Sequence, residues 1–189
     1  MMPTTHVIRG DESFTRENLV ALLNEDLAGE YQAIISYVIY SQVLKGAQYM
    51  NIAAELEKHA AEELAHALII AGQIDYLGGM PLAEAKPVQT SAEAAEMLRF
   101  DLENENTTIA RYRQRVHQCE ALGEFAIAEQ IRRILVQEQD HQVALATALG
   151  VQVPNVEELE KIPAAEAPAS EVPQANGRGS RDNSAWKHA

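Results

Sequence analysis

The sequence predicts an all-α fold: a four-helix bundle with a long crossover between its second and third helices. Three observations carry this. The 189 residues are rich in Ala, Leu, Glu and Gln and only 5% aromatic, a composition of good helix formers. Four long segments repeat apolar residues at the period of an amphipathic helix. Glycine and proline collect at a few places between those segments, where helices stop.

The length suits one domain with a full core. A formal net charge of -13, from 15 Lys and Arg against 28 Asp and Glu, argues against a nucleic-acid partner and fits attraction of cations. The single cysteine, Cys119, leaves no intrachain disulfide and no Cys-x-x-Cys metal site, so a reducing, cytoplasmic compartment is expected. No apolar run reaches membrane-spanning length, and no membrane partner is expected.

Residues 1–14 contain Pro3 and Gly10 and read as an irregular lead-in. Thr15 can cap a first helix running to Lys45, with Glu17 in its first turn. Leu19, Leu23, Ile34, Tyr37, Ser41 and Leu44 form its stripe, and Glu30 sits in the middle of it. An isolated Glu there would be read as snorkelling to water. Gly46 breaks this helix, and a second runs from Tyr49 to Leu77, ending at Gly78-Gly79-Met80-Pro81. Its inward residues are Ile52, His59, Glu63, His66, Ile70 and Leu77, and His59, beside Glu55 and Glu62, reads more readily as part of a charged face than as a site residue.

Residues 78–90 hold Pro81 and Pro87 and are not helical. Extended, such a link reaches ~45 Å, against ~42 Å for a helix of about 28 residues, so it can run the length of a bundle. Thr90 and Glu93 suggest a capping box for a third helix, Ser91 to Ala121. Its stripe is Leu98, Leu102, Glu105, Ile109, Tyr112 and Val116, extended by a buried Cys119. Gly123 turns the chain into a fourth helix, Glu124 to Leu149, with Ile127, Ile134, Glu138, His141, Leu145 and Ala148 inward and Gly150 at its end. Within 151–162, Asn155 to Lys161 can form a short fifth helix. Residues 163–189, Ala/Pro/Glu and then Gly/Asn/Ser/Arg, predict a flexible tail whose Trp186 could serve as a docking element.

One pattern occurs twice. Glu63-Leu64-Ala65-His66 and Glu138-Gln139-Asp140-His141 are both Glu-x-x-His, which puts carboxylate and imidazole on one helical face. Glu63 follows Glu30 by 33 residues, and Glu138 follows Glu105 by 33. Each pair of glutamates flanks a turn symmetrically, so in two hairpins each set meets at one depth. A single Glu-x-x-His is weak evidence in an acidic helical chain. Two half-sites in register make the donor set of di-iron carboxylate bundles, one Glu from each of two helices and Glu-x-x-His from each of the others.

Burying four carboxylates and two imidazoles without compensation costs several kcal/mol per ionised group, and metal removes that cost. Four Glu carry minus four, two divalent ions carry plus four, and neutral imidazoles add nothing. The oxygen and nitrogen donors suit two Fe ions, with Mn or Zn able to compete. By symmetry Glu30 with His66 would hold one ion and Glu105 with His141 the other, with Glu63 and Glu138 bridging. Dioxygen or hydrogen peroxide could then react with Fe(II) across the pair.

With these residues in place, the chain over about 15–150 resembles the ferritin-like superfamily, and among its members the bacterioferritins most. The matching positions are Glu30, Glu63, His66, Glu105, Glu138 and His141. The resemblance implies a ferroxidase that stores iron in a homo-oligomeric cage, and it puts Tyr37 where bacterioferritins have a redox-active tyrosine; core packing is the alternative role. Bacterioferritins bind haem through a Met directly after the first Glu of the second-helix pair. Leu64 stands there, so haem is not expected. Lys58 and Glu62 match the family's inner-surface iron residues poorly, and Thr108 stands where rubrerythrins add a Glu. Two other readings stay open: a manganese catalase, peroxidase or oxygenase on the same bundle, which would store no iron, and a cargo protein docked through its tail.

Overall fold

The computed structural model describes residues 14–155. The lead-in before residue 14, the tail and most of the expected fifth helix lie outside the described residues. Four long helices follow one another: α1 (Arg16–Val43), α2 (Met50–Tyr76), α3 (Ala94–Ala121) and α4 (Phe125–Leu149). A 3-10 turn, Ala47–Tyr49, leads into α2.

The ends of the helices follow local chemistry. Thr15 accepts from the Asn18 amide while the Asn18 side chain accepts from the Thr15 amide, a reciprocal cap that satisfies two otherwise unpaired donors. At the other end of α3, Gly123 takes φ 77, which lets the Glu124 amide donate back to the Cys119 carbonyl at 2.8 Å. A side chain at that φ would be strained, so the glycine is what allows so tight a hairpin.

Two expectations need correction. The third helix starts at Ala94 rather than Ser91, and Thr90 does not cap it; Ser91 instead accepts from the Glu93 amide. The first helix stops at Val43, because Leu44 turns to ψ 127 before Gly46.

α1 packs along α2 and α3 along α4, and the two hairpins meet through α1 with α3 and α2 with α4. The crossover is tied to α1 along its length. Asn24 bonds the Met80 carbonyl and the Leu82 amide, the Lys86 amide donates to the Ala28 carbonyl, Gln32 to the Pro87 carbonyl and Tyr40 to the Gln89 carbonyl. The link thus climbs from the start of α1 to its end, and α3 runs antiparallel to α1. The core forms two apolar plugs. One holds Leu19, Leu23, Ile70, Ile74, Ile127 and Ile131, and the other holds Leu56, Met97, Leu98 and Leu145. Ala148, expected inward, is exposed, and Leu102 and Ile34 are only half-buried.

Candidate metal centre

Between the two plugs the interior turns polar. Glu30, Glu63, His66, Glu105, Glu138 and His141 are all at most 3% exposed, one or two from each helix. Their ligand atoms fall into two overlapping groups that could each hold a metal ion: Glu30, Glu63, His66 and Glu138, and then Glu63, Glu105, Glu138 and His141. Glu63 and Glu138 belong to both.

The imidazoles face inward through Nδ1. His66 Nδ1 lies 3.0 Å from Glu63, 3.2 Å from Glu138 and 3.4 Å from Glu30. His141 Nδ1 lies 3.0 Å from Glu63, 3.5 Å from Glu138 and 3.7 Å from Glu105. The outward nitrogens are occupied: His66 Nε2 meets Gln137 at 3.0 Å, and His141 Nε2 meets Glu62 at 2.8 Å. An acceptor on the outer nitrogen selects the tautomer whose inner nitrogen is a free donor to a metal.

The donor set also fails to satisfy itself. Glu30 Oε2, Glu63 Oε1 and Glu138 Oε1 are buried with only an imidazole Nδ1 nearby, at 3.0–3.4 Å and without hydrogen-bond geometry. Buried oxygens so poorly satisfied are costly unless a cation completes them.

The ferritin-like domain profile of the ferritin family matches residues 20–151. This chain belongs to the ferritin family. Bacterioferritin from Desulfovibrio desulfuricans is 28% identical over 133 residues, 70% of this chain and 74% of that protein. A bacterial ferritin from Synechocystis is 27% identical over 135 residues, 70% and 86% of the two chains. Among solved structures, a ferritin-like, diiron-carboxylate protein from Bacillus anthracis superposes with TM-score 0.68 at 31% identity, covering 71% of this chain and 96% of that one. A dodecameric thioferritin from Bacteroides fragilis shares the fold, with TM-score 0.67 at 24% identity over 72% and 87%.

In this ferritin-like bundle the twofold extends beyond the six residues. All three pairs, Glu30 and Glu105, Glu63 and Glu138, His66 and His141, are 75 residues apart. The same step relates Tyr37 to Tyr112, and the phenols cross over: Tyr37 donates to Glu105 and Tyr112 to Glu30. It relates Glu62 to Gln137, and Asp26 to Asp101, both buried. The sequence places Tyr112 only on the inward stripe of the third helix and does not point to Gln137, Asp26 or Asp101, although each stands at a fixed offset from a recognised residue. His59 is not on a charged face. It is 5% exposed and stacks on His141 with ring centroids 4.0 Å apart, while Tyr37 meets it edge-on. Leu64, by contrast, is 52% exposed on the outer side of α2.

Protonation follows from this crowding. Burial, reinforced by Glu138 and Glu30, raises Glu63 well above the usual carboxylate range, and burial with Glu138 pushes Glu105 up to about 7. Glu138 moves down, because the neighbouring His141 and His66 outweigh its burial and the charge of Glu30. Burial opposes charge on both imidazoles, but the carboxylates of Glu138, Glu30 and Glu63 beside its ring nitrogen raise His66, and those of Glu105, Glu138 and Glu63 raise His141. Burial and the neighbouring His141 hold His59 down at about 4, so it is neutral. Without a cation the cluster keeps protons that a metal would displace.

Proposed function

We propose that the protein is a ferroxidase: it binds Fe(II) at the six-residue centre, oxidises it to Fe(III) with dioxygen or peroxide, and stores the product in a homo-oligomeric cage. The observation that carries this is the pair of four-ligand groups sharing Glu63 and Glu138, every member of them buried. Two divalent ions would balance the four carboxylates, and a bound iron pair supplies two electrons, one from each ion, to the oxidant. Glu30 with His66 would hold one ion, Glu105 with His141 the other, and Glu63 and Glu138 would span both.

The surrounding residues support that chemistry. Tyr37 and Tyr112 each donate to a terminal carboxylate and hold its orientation. Burial, with the charges of Glu105 and Glu30, raises both phenols well above the ordinary tyrosine value, so both stay protonated. Tyr37 is also the candidate electron donor, as its position relative to Glu30 suggests by resemblance. Exposed apolar side chains on the helices, among them Val38, Leu68, Val136 and Val143, favour assembly with further copies of the chain.

The test joins chemistry to size. Ferrous ion added anaerobically and then exposed to oxygen should give Fe(III) absorbance, and the protein should elute as a large particle retaining many iron atoms per subunit. A dimer that holds two metals and destroys peroxide without taking up iron would favour a non-storage redox enzyme.

A further inference from the structure

The twofold of the centre breaks about one helical turn away from it, and it breaks in charge. Asp26 and Asp101 stand four residues before Glu30 and Glu105, and both are buried. Arg111 and Arg115 flank Asp26. Arg115 bonds it through Nε at 2.7 Å and Nη2 at 3.2 Å, and Arg111 Nε lies 3.7 Å away. The 75-residue step takes these arginines to Ser36 and Tyr40, both buried, and Tyr40 lies against Asp101 and Ser36. Two guanidinium groups on one side are thus replaced by two neutral hydroxyls on the other.

The crossover adds a third cation on the same side. Its backbone bond to Ala28 holds Lys86 in place, half-buried beside Arg111, Arg115, Asp26 and Glu25. Three basic groups therefore face two carboxylates there. Among the described residues Asp101 has no ion pair, its Oδ2 is partnerless, and the charge acting on it is that of Glu105. The cations are in view of the centre. A cavity of about 100 Å³ is lined by Lys86 and Arg111 together with Glu30, Glu63, Glu105 and Glu138. Gly29 leaves the room for this: a Cβ there would sit 2.8 Å from Arg111 Nη2.

We propose that the two half-sites load in order, the first divalent cation at Glu105 and His141 and the second, more weakly, at Glu30 and His66, where Lys86, Arg111 and Arg115 oppose it. The proposal rests on the dimetal reading above. Water screens buried charges poorly, so an excess cation beside one half-site acts on a doubly charged ion more strongly there than across the pair. The Glu30 and His66 position is then the exchangeable one.

Calorimetric titration of the metal-free full chain with Zn²⁺ tests this without any turnover. Two steps are expected, with affinities at least tenfold apart. Lys86→Glu should tighten the second step on the order of tenfold while moving the first by less than about threefold, and Lys86→Gln should give an intermediate effect. Arg111→Gln should act in the same direction. With one equivalent of Zn²⁺, anomalous diffraction should place the ion beside Glu105 and His141. Two equal steps, a first ion beside Glu30 and His66, or a Lys86→Glu effect shared equally by both steps would overturn the order while leaving the dimetal reading intact. Uptake of fewer than two ions by the unaltered chain would overturn both.

Discussion

His66 on α2 and Gln137 on α4 meet at 3.0 Å through the outward ring nitrogen, and Gln137 stands immediately before Glu138. His141 on α4 makes the same contact with Glu62, immediately before Glu63 on α2. Each hairpin thus orients the other's imidazole. Gln137→Ala should weaken metal binding about 10- to 100-fold with little change in thermal stability, as judged by Zn²⁺ titration. Glu62→Ala should do likewise, and an unchanged affinity in both would remove this orienting role.

Glu63 and His141 stand at the centre of the proposed chemistry. Glu63→Ala or His141→Ala should abolish rapid oxidation of added ferrous ion, followed by stopped-flow absorbance, while circular dichroism remains helical. Glu63→Gln exchanges a carboxyl that burial and its acidic neighbours keep protonated for a neutral amide, and should leave the stability of the metal-free protein nearly unchanged. Normal oxidation rates in these variants would count against the site.

The pH dependence of the metal-free protein has a definite sign. Glu105, raised to about 7, and Glu63, raised well above the ordinary carboxylate value of 4.5, bind more protons folded than unfolded above that value. His66 and His141, raised from 6.5, also hold protons the unfolded chain releases. All four groups lower stability as pH rises, the carboxyls from about pH 4.5 and the imidazoles from about 6.5, while His59, held down at about 4, opposes them only below about 6.5. The melting temperature of the metal-free protein should therefore fall between pH 5 and 8, by roughly 5 °C or more. Zn²⁺ should reverse the trend, because binding displaces those protons and strengthens with pH. A flat profile without metal would contradict the crowding described above.

Tyr37 and Tyr112 are related by the twofold but differ in surroundings, since only Tyr37 touches His59 and His141. If Tyr37 donates an electron, rapid-freeze electron paramagnetic resonance during ferrous oxidation should detect a tyrosyl radical. Tyr37→Phe should lose it and Tyr112→Phe should keep it. Each variant also loses a hydrogen bond to a ligand carboxylate, costing on the order of 1–3 kcal/mol in chemical denaturation.

Arg115 and Asp26 form a buried pair with two bonds, and removing one partner leaves an uncompensated charge. Arg115→Ala should destabilise the fold by about 3–5 kcal/mol, measured by urea unfolding. A loss below 1 kcal/mol would mean that Arg111 takes over the pairing.

Four helices, their order and the six clustered side chains were legible in the residues, because each rests on relations inside one helix or on equal distances from a turn. A Glu-x-x-His shares a face by the helical period alone, and spans of 33 residues across a hairpin return to the same height. How the helices are rotated against one another, and which side chains reach across, is decided only by packing. That is why Tyr37 meets Glu105 rather than Glu30, why His59 is buried against His141 rather than solvated, and why Lys86, from an irregular link, stands beside Arg111. The Thr90 cap failed for a related reason: the competing Ser91 hydroxyl took the Glu93 amide, a local choice that composition does not rank.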